Sequence, residues 1–139
     1  MRDNEWLKDK FESMYFAYFS DIPRNNKIIV RFKGKWKNKF GHIKLLKNKN
    51  TEICVNGFFS NEIVPEHIIT TVLAHEFTHY AHGFNSPLQK KYKHPHAGGI
   101  VSRELKARGL AQFLKMEKLW IKNEWRAMQK TEFKQRSFF

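Results

Sequence analysis

Cysteine occurs once in this 139-residue chain, at Cys54, so neither an internal disulfide nor a thiolate metal cage can form. Any metal is left to histidine and carboxylate, and the composition fits a reducing, intracellular compartment, cytoplasmic or nucleoid-associated. With only 4 Pro and 7 Gly there is no Pro/Gly/Ser linker, and no internal repeat, which predicts a single domain over residues 1–139. Long apolar runs are also missing. Val72-Leu73-Ala74 stops far short of the ~20 residues that cross a bilayer, and Met1-Arg2-Asp3-Asn4-Glu5 opens no signal peptide, so a membrane partner and secretion are disfavoured.

Acid is scarce as well. Lys and Arg total 26 against 13 Asp and Glu, a formal charge of +13. Ten of the cations fall between Arg24 and Asn50, where there is no acid, and thirteen more lie between Phe77 and Phe139 against four glutamates. Self-repulsion on this scale is offset by a polyanionic partner, and nucleic acid is the commonest one inside cells. The plain alternative is a solvated basic surface. Aromatic residues are abundant, with 13 Phe and 4 Trp, and this excludes a disordered tail.

Apolar spacing places helices and strands. Trp6, Phe11, Met14, Tyr15, Tyr18 and Phe19 recur at helical intervals over Asp3 to Phe19. Three strand-like runs follow, Ile28–Phe32, Phe40–Leu46 and Glu52–Asn56, and suggest a small, largely antiparallel sheet. A helix starting near Pro65, with Ser60 or Asn61 as its cap, runs to His82 and stops at Gly83. Phe84 to Gly99 reads as a loop, and two helices follow, Ile100–Arg108 and Leu110 to about Lys130. In the last, Phe113, Met116, Trp120, Ile121, Trp125 and Met128 form a core-facing stripe. The order predicts an α+β fold.

The second helix carries Leu73-Ala74-His75-Glu76-Phe77-Thr78-His79-Tyr80, an HExxH pattern. Residues four apart share a helix face, so His75 and His79 can present two imidazoles to one zinc ion while Glu76 reaches a water beside it. Zinc acidifies that water and polarises a carbonyl, and the carboxylate takes the proton. A third ligand is required. His82 lies about 10 Å along the axis from His75, too far to share the ion. His94 and His96, in the turn Lys93-His94-Pro95-His96-Ala97-Gly98-Gly99, and Glu104 on the following helix remain as candidates. Tyr80, His82, Tyr92 or an unused His94 are candidate donors to a transition-state oxyanion.

From about Tyr15 to Gly109 the chain resembles the SprT-like zinc metalloproteases: a leading helix, a small basic sheet, a strand ending Ile53-Cys54-Val55-Asn56, the helix with Leu73-Ala74-His75-Glu76-Phe77-Thr78-His79, and a downstream histidine opening another helix. The resemblance implies a zincin-like domain with one Zn2+ per chain and hydrolysis of peptide bonds. It also favours His96 as third ligand, because the family's ligand precedes a small residue, here Ala97, with a bulky apolar residue four positions on, here Ile100. The family's usual glycine after that ligand is Ala97 here, and these residues include no four-cysteine zinc ribbon. Together, resemblance and charge imply DNA-associated or DNA-crosslinked proteins as substrates. Arg103-Glu104 with Ala107 and Ala111 is loosely similar to the ImmA/IrrE-like regulatory zincins, in which a helical glutamate is the third ligand. A basic nucleic-acid-binding protein with a non-catalytic zinc site is the remaining alternative, although such a site has no need of Glu76.

Arg31, Lys33, Lys35, Lys37 and Lys39 occupy odd positions and Phe32, Trp36 and Phe40 even ones. In extended structure this separates a cationic face for phosphate contacts from an aromatic face able to stack on unpaired bases. An ordinary half-buried sheet, with aromatic core and lysine exterior, gives the same alternation.

Overall fold

The computed structural model describes residues 1–136 and the side chains of residues 1–131. Helix α1 (Asn4–Tyr18) starts where the Asp3 carboxylate accepts the Trp6 N–H at 2.8 Å, satisfying one of the free amides of the first turn. It buries Leu7, Phe11, Met14 and Tyr15, the face marked by its helical spacing. Three strands follow, β1 (Ile28–Lys33), β2 (Gly41–Leu45) and β3 (Thr51–Asn56), then helix α2 (Glu66–Ala81). Helices α3 (Ile100–Ala107), α4 (Ala111–Trp120) and α5 (Arg126–Arg136) complete an α+β fold.

The sheet is mixed, which corrects the largely antiparallel expectation. Its order is β1-β3-β2, with β1 parallel to β3 and β2 antiparallel to it. Every residue of β3, the strand without lysine, is buried at the centre, and the two lysine-bearing strands take the edges, where their ammonium groups reach water. Because β1 pairs with the edge of β3 opposite β2, the segment 34–40 carries the chain past the end of β3. Asn56, the last residue of β3, anchors that segment by donating from Nδ2 to the carbonyls of Trp36 and Lys39 at 2.8 and 2.9 Å.

This path also corrects the alternating cationic and aromatic face. Strand β1 ends at Lys33, Gly34 sits at φ +71°, and residues 34–40 are irregular, so odd and even positions do not define two faces. Two further expectations change. Pro65, not Ser60 or Asn61, precedes α2 and supplies no side-chain cap. The C-terminal helix is interrupted by one π turn, Ile121–Trp125, whose flanking residues Trp120 and Arg126 keep right-handed helical angles.

Two aromatic clusters hold the layers together. Phe77 of α2 meets Phe11, Tyr15 and Phe19 edge-on at centroid separations of 5.7, 5.5 and 5.0 Å, joining α1 to α2. Phe40, Phe59, Trp120 and Trp125 form the second, which fastens the C-terminal helix over the segment leading into β2.

Candidate metal centre

From Ile68 to Ala81, α2 is buried at every residue except His75, which is half-buried. A helix enclosed on all sides must satisfy its polar side chains locally. The hydroxyls of Thr71 and Thr78 do so by donating to the carbonyls of His67 and Ala74, both at 2.8 Å. The imidazoles of His75 and His79 lie one turn apart, with ring centroids 4.9 Å from each other.

The loop after α2 brings the third imidazole. Gly83 adopts φ +86°, and a Cβ there would fall 2.5 Å from the Gln89 carbonyl oxygen and from Lys90 Cα. Only glycine lets the chain fold back this tightly, and Lys91 N–H then donates to the His82 carbonyl at 2.9 Å. The returning loop sets the His96 ring 4.6 Å from His79 and 5.6 Å from His75. One nitrogen from each of His75, His79 and His96 lies within 4.8 Å of the other two, a group able to hold a metal ion.

Electrostatics and hydrogen bonding suit that role. Burial, reinforced by the neighbouring imidazoles, holds His75 down at about 4 and His79 at about 3, so both rings are neutral at pH 7, the form that coordinates metal. His79 Nδ1 is buried without a hydrogen-bond partner, an orphaned lone pair or proton that a bound ion or its water would explain. Glu76 is buried beside the same cleft, and burial pushes its carboxyl up to about 7 against the opposing pull of Lys39. Its carboxylate makes no hydrogen bond or ion pair among the described residues. Gly41 of β2 explains the tight fit around it. A Cβ there would meet the Cys54 carbonyl oxygen at 2.8 Å and Val72 Cγ1 at 2.9 Å, with Glu76 Cγ at 3.5 Å.

The other candidates are placed elsewhere. Glu104 accepts from His82 Nε2 at 2.9 Å and from Arg108 Nε at 3.0 Å, and Arg108 continues to Asp21, so this carboxylate fastens α3 to the end of α2. His94 is exposed and outside the three-histidine group. None of the candidate oxyanion donors Tyr80, His82, Tyr92 and His94 lines the cleft. Tyr80 is fully buried and its hydroxyl donates to Asn26 Oδ1 at 2.6 Å, away from the histidines.

The cleft measures about 780 Å³ and is walled by β2, the 37–40 segment, the His96 loop and the C-terminal helix. Of the predicted nucleic-acid residues, Lys37 and Lys39 border it, whereas Lys33 and Lys35 are exposed outside it and Arg31 pairs with Glu52 at 3.3 Å. Trp36 is half-buried, with Lys39 Nζ 4.6 Å over its ring and His42 packed 5.2 Å away, which removes it as a free stacking platform. Sequence reasoning missed Glu117 of α4. It lines the cleft, and burial pushes its carboxyl up to about 7. Its place in an apolar helical stripe gave no signal beyond an unpaired acid among lysines.

A second group also escaped the sequence reading, which had left cysteine out of any metal chemistry. His42, Glu52 and Cys54 bring one donor atom each within 4.8 Å of one another. Comparison with protein families, curated proteins and solved structures finds no match for this chain.

Because Glu104 serves His82 and Arg108, Glu104→Gln should leave zinc uptake by the three histidines unchanged while lowering the thermal midpoint. A weakened, partly buried hydrogen-bond network costs about 1–2 kcal/mol, or about 3–6 °C for a chain of this size. Burial raises the Glu104 carboxyl, but the His82 and Arg108 contacts outweigh it and the net shift is downward. Its contribution is therefore complete above the unfolded value of about 4.3 and is lost as pH falls through the lower folded value. Melting curves of the two proteins should differ at pH 7 and converge in acid. Zinc loss in Glu104→Gln would instead make it a ligand.

Proposed function

We propose that the chain is a zinc-dependent peptide hydrolase of the SprT-like, zincin type, with His75, His79 and His96 as ligands and Glu76 as general base. The observation that carries this reading is the convergence of three histidines and one unpaired buried carboxylate in a single cleft. Zinc held by the three imidazoles supplies a Lewis acid that activates water and polarises a peptide carbonyl. Glu76 accepts the water's proton and, as a carboxylic acid, returns it to the departing amine. Its enclosed position keeps that proton from bulk solvent.

The cleft suits an extended polypeptide. Strand β2 pairs with β3 alone, so among the described residues its other edge carries no strand, and Gly41, His42 and Ile43 of that strand border the cleft. A substrate segment can add to this edge through backbone hydrogen bonds, which are indifferent to its side chains. Lys37, Lys39 and Arg126 line the same cleft. They support proteins bound or crosslinked to DNA as the substrate class, since phosphates seated on these cations would hold such a protein near the histidines.

The ImmA/IrrE-like alternative needs a helical glutamate at the metal, and Glu104's contacts with His82 and Arg108 disfavour it. A non-catalytic zinc site has no use for an unpaired buried Glu76, whose desolvation is a cost without a structural return.

Glu76→Gln should retain zinc at the three histidines and lower hydrolysis of a disordered protein substrate by at least ~100-fold. His96→Ala should strip that zinc, while His94→Ala should not. Full activity in Glu76→Gln would remove it as the base. For the DNA contact, the log–log salt dependence of affinity should have a slope of roughly −0.7 to −0.9 per phosphate contact. Changing Lys33, Lys35, Lys37 and Lys39 together to glutamine should make it shallower by a few units with zinc content intact. An unchanged slope would leave the charge as a solubility feature or move the DNA contact to the C-terminal helices.

A further inference from the structure

The sheet has two faces with different chemistry. Gly41, opposite Val55, points toward Val72 and Glu76 of α2, so His42, opposite Cys54, lies on the other face. Glu52 is two residues from Cys54 on β3 and shares that face. Strand pairing therefore gathers an imidazole, a carboxylate and a thiol without help from any loop.

We infer that His42, Glu52 and Cys54 form a second metal site, distinct from the three-histidine group, for a thiophilic divalent cation of the zinc class. Their donor atoms lie within 4.8 Å of one another. Cys54 is fully buried and Glu52 is 7% exposed, and the thiol donates to Glu52 Oε1 at 3.3 Å. Both ring nitrogens of His42 are buried and without a hydrogen-bond partner. Since buried ring nitrogens are ordinarily paired, an imidazole with neither satisfied, facing a thiol and a carboxylate, is explained by an ion that all three share. A mixed nitrogen, oxygen and sulfur set selects zinc or cobalt over magnesium or calcium, which take oxygen alone.

The charge balance is favourable. On binding, the Cys54 thiol gives its proton to solvent and the sulfur forms the metal bond, so thiolate and carboxylate together neutralise a divalent ion. This matters because Lys33, Lys39 and Lys44 surround His42 and Arg31 lies beside Glu52. Arg31 Nε is 3.3 Å from Glu52 Oε2 without hydrogen-bond alignment, which leaves Glu52 Oε1 and the thiol for the metal. His42 also borders the cleft and gives an ion a way in. A cysteine nucleophile is the other use of a thiol near an imidazole, and the complete burial of Cys54 keeps substrate from it.

The chain's single cysteine makes the test specific, because any thiolate-to-cobalt charge-transfer band must come from Cys54. Metal-stripped full chain is titrated with Co2+ alone. The wild type should bind two equivalents and develop that near-ultraviolet band. The double variant His75→Ala/His79→Ala should keep the band with one equivalent, and Cys54→Ser should lose the band and keep the other equivalent. His42→Ala, on an edge strand, should weaken the band-forming equivalent at least ~10-fold if Cys54→Ser fails to fold. Absence of the band in the wild type at saturating Co2+ overturns the inference. The band with only one equivalent bound supports it and counts instead against the three-histidine centre.

Discussion

Helix α2 is enclosed by α1, the sheet, α3 and α4, and this enclosure governs what its polar residues can do. Burying His75, Glu76 and His79 removes their water, which neutralises the imidazoles, raises the carboxyl, and costs free energy that hydrogen bonds among the described residues do not return to Glu76. The threonines on the same helix escape the cost by bonding to its carbonyls, and His82 offsets part of it by pairing Nε2 with Glu104. On the side facing the cleft, His79 Nδ1 and the Glu76 carboxylate stay without hydrogen-bond partners among the described residues. Under the proposed function a metal ion and an attacking water would give these leftover groups partners, so the destabilised residues would also be the chemically useful ones.

How much was legible follows from how local each feature is. The first helix, the three strand positions, the end of α2 near Gly83 and the HExxH face depend on neighbours within a few residues, and their sequence signals hold. The parallel pairing of β1 does not. It depends on β3 being the strand buried at every position, a property of packing between elements. The alternation from Arg31 to Lys39 failed for a related reason, since period two was read through a glycine at positive φ that ends the strand. The π turn at Ile121–Trp125 carries no sequence mark that distinguishes it from ordinary helix.

The candidate site divides in the same way. His75, Glu76 and His79 come from one helix and one spacing rule. His96 lies across a loop, so spacing alone left it level with His94 and Glu104, and family resemblance made the choice. The geometry that joins His96 to the other two rests on the tight reversal at Gly83. Cys54 was set aside because it is solitary in the sequence, yet a sheet needs only one residue of each kind. Register delivers the partners, His42 from β2 and Glu52 from β3 itself.

The central claim is that His75, His79 and His96 hold one zinc ion beside Glu76. A crystal grown with zinc and measured above and below the zinc absorption edge tests it most directly. An anomalous peak bonded to all three imidazoles, with Glu76 adjacent and one coordination position open to the cleft, is the predicted result. No peak among the three histidines of a fully zinc-loaded crystal, or a peak bonded to Glu104 in place of His96, would contradict it.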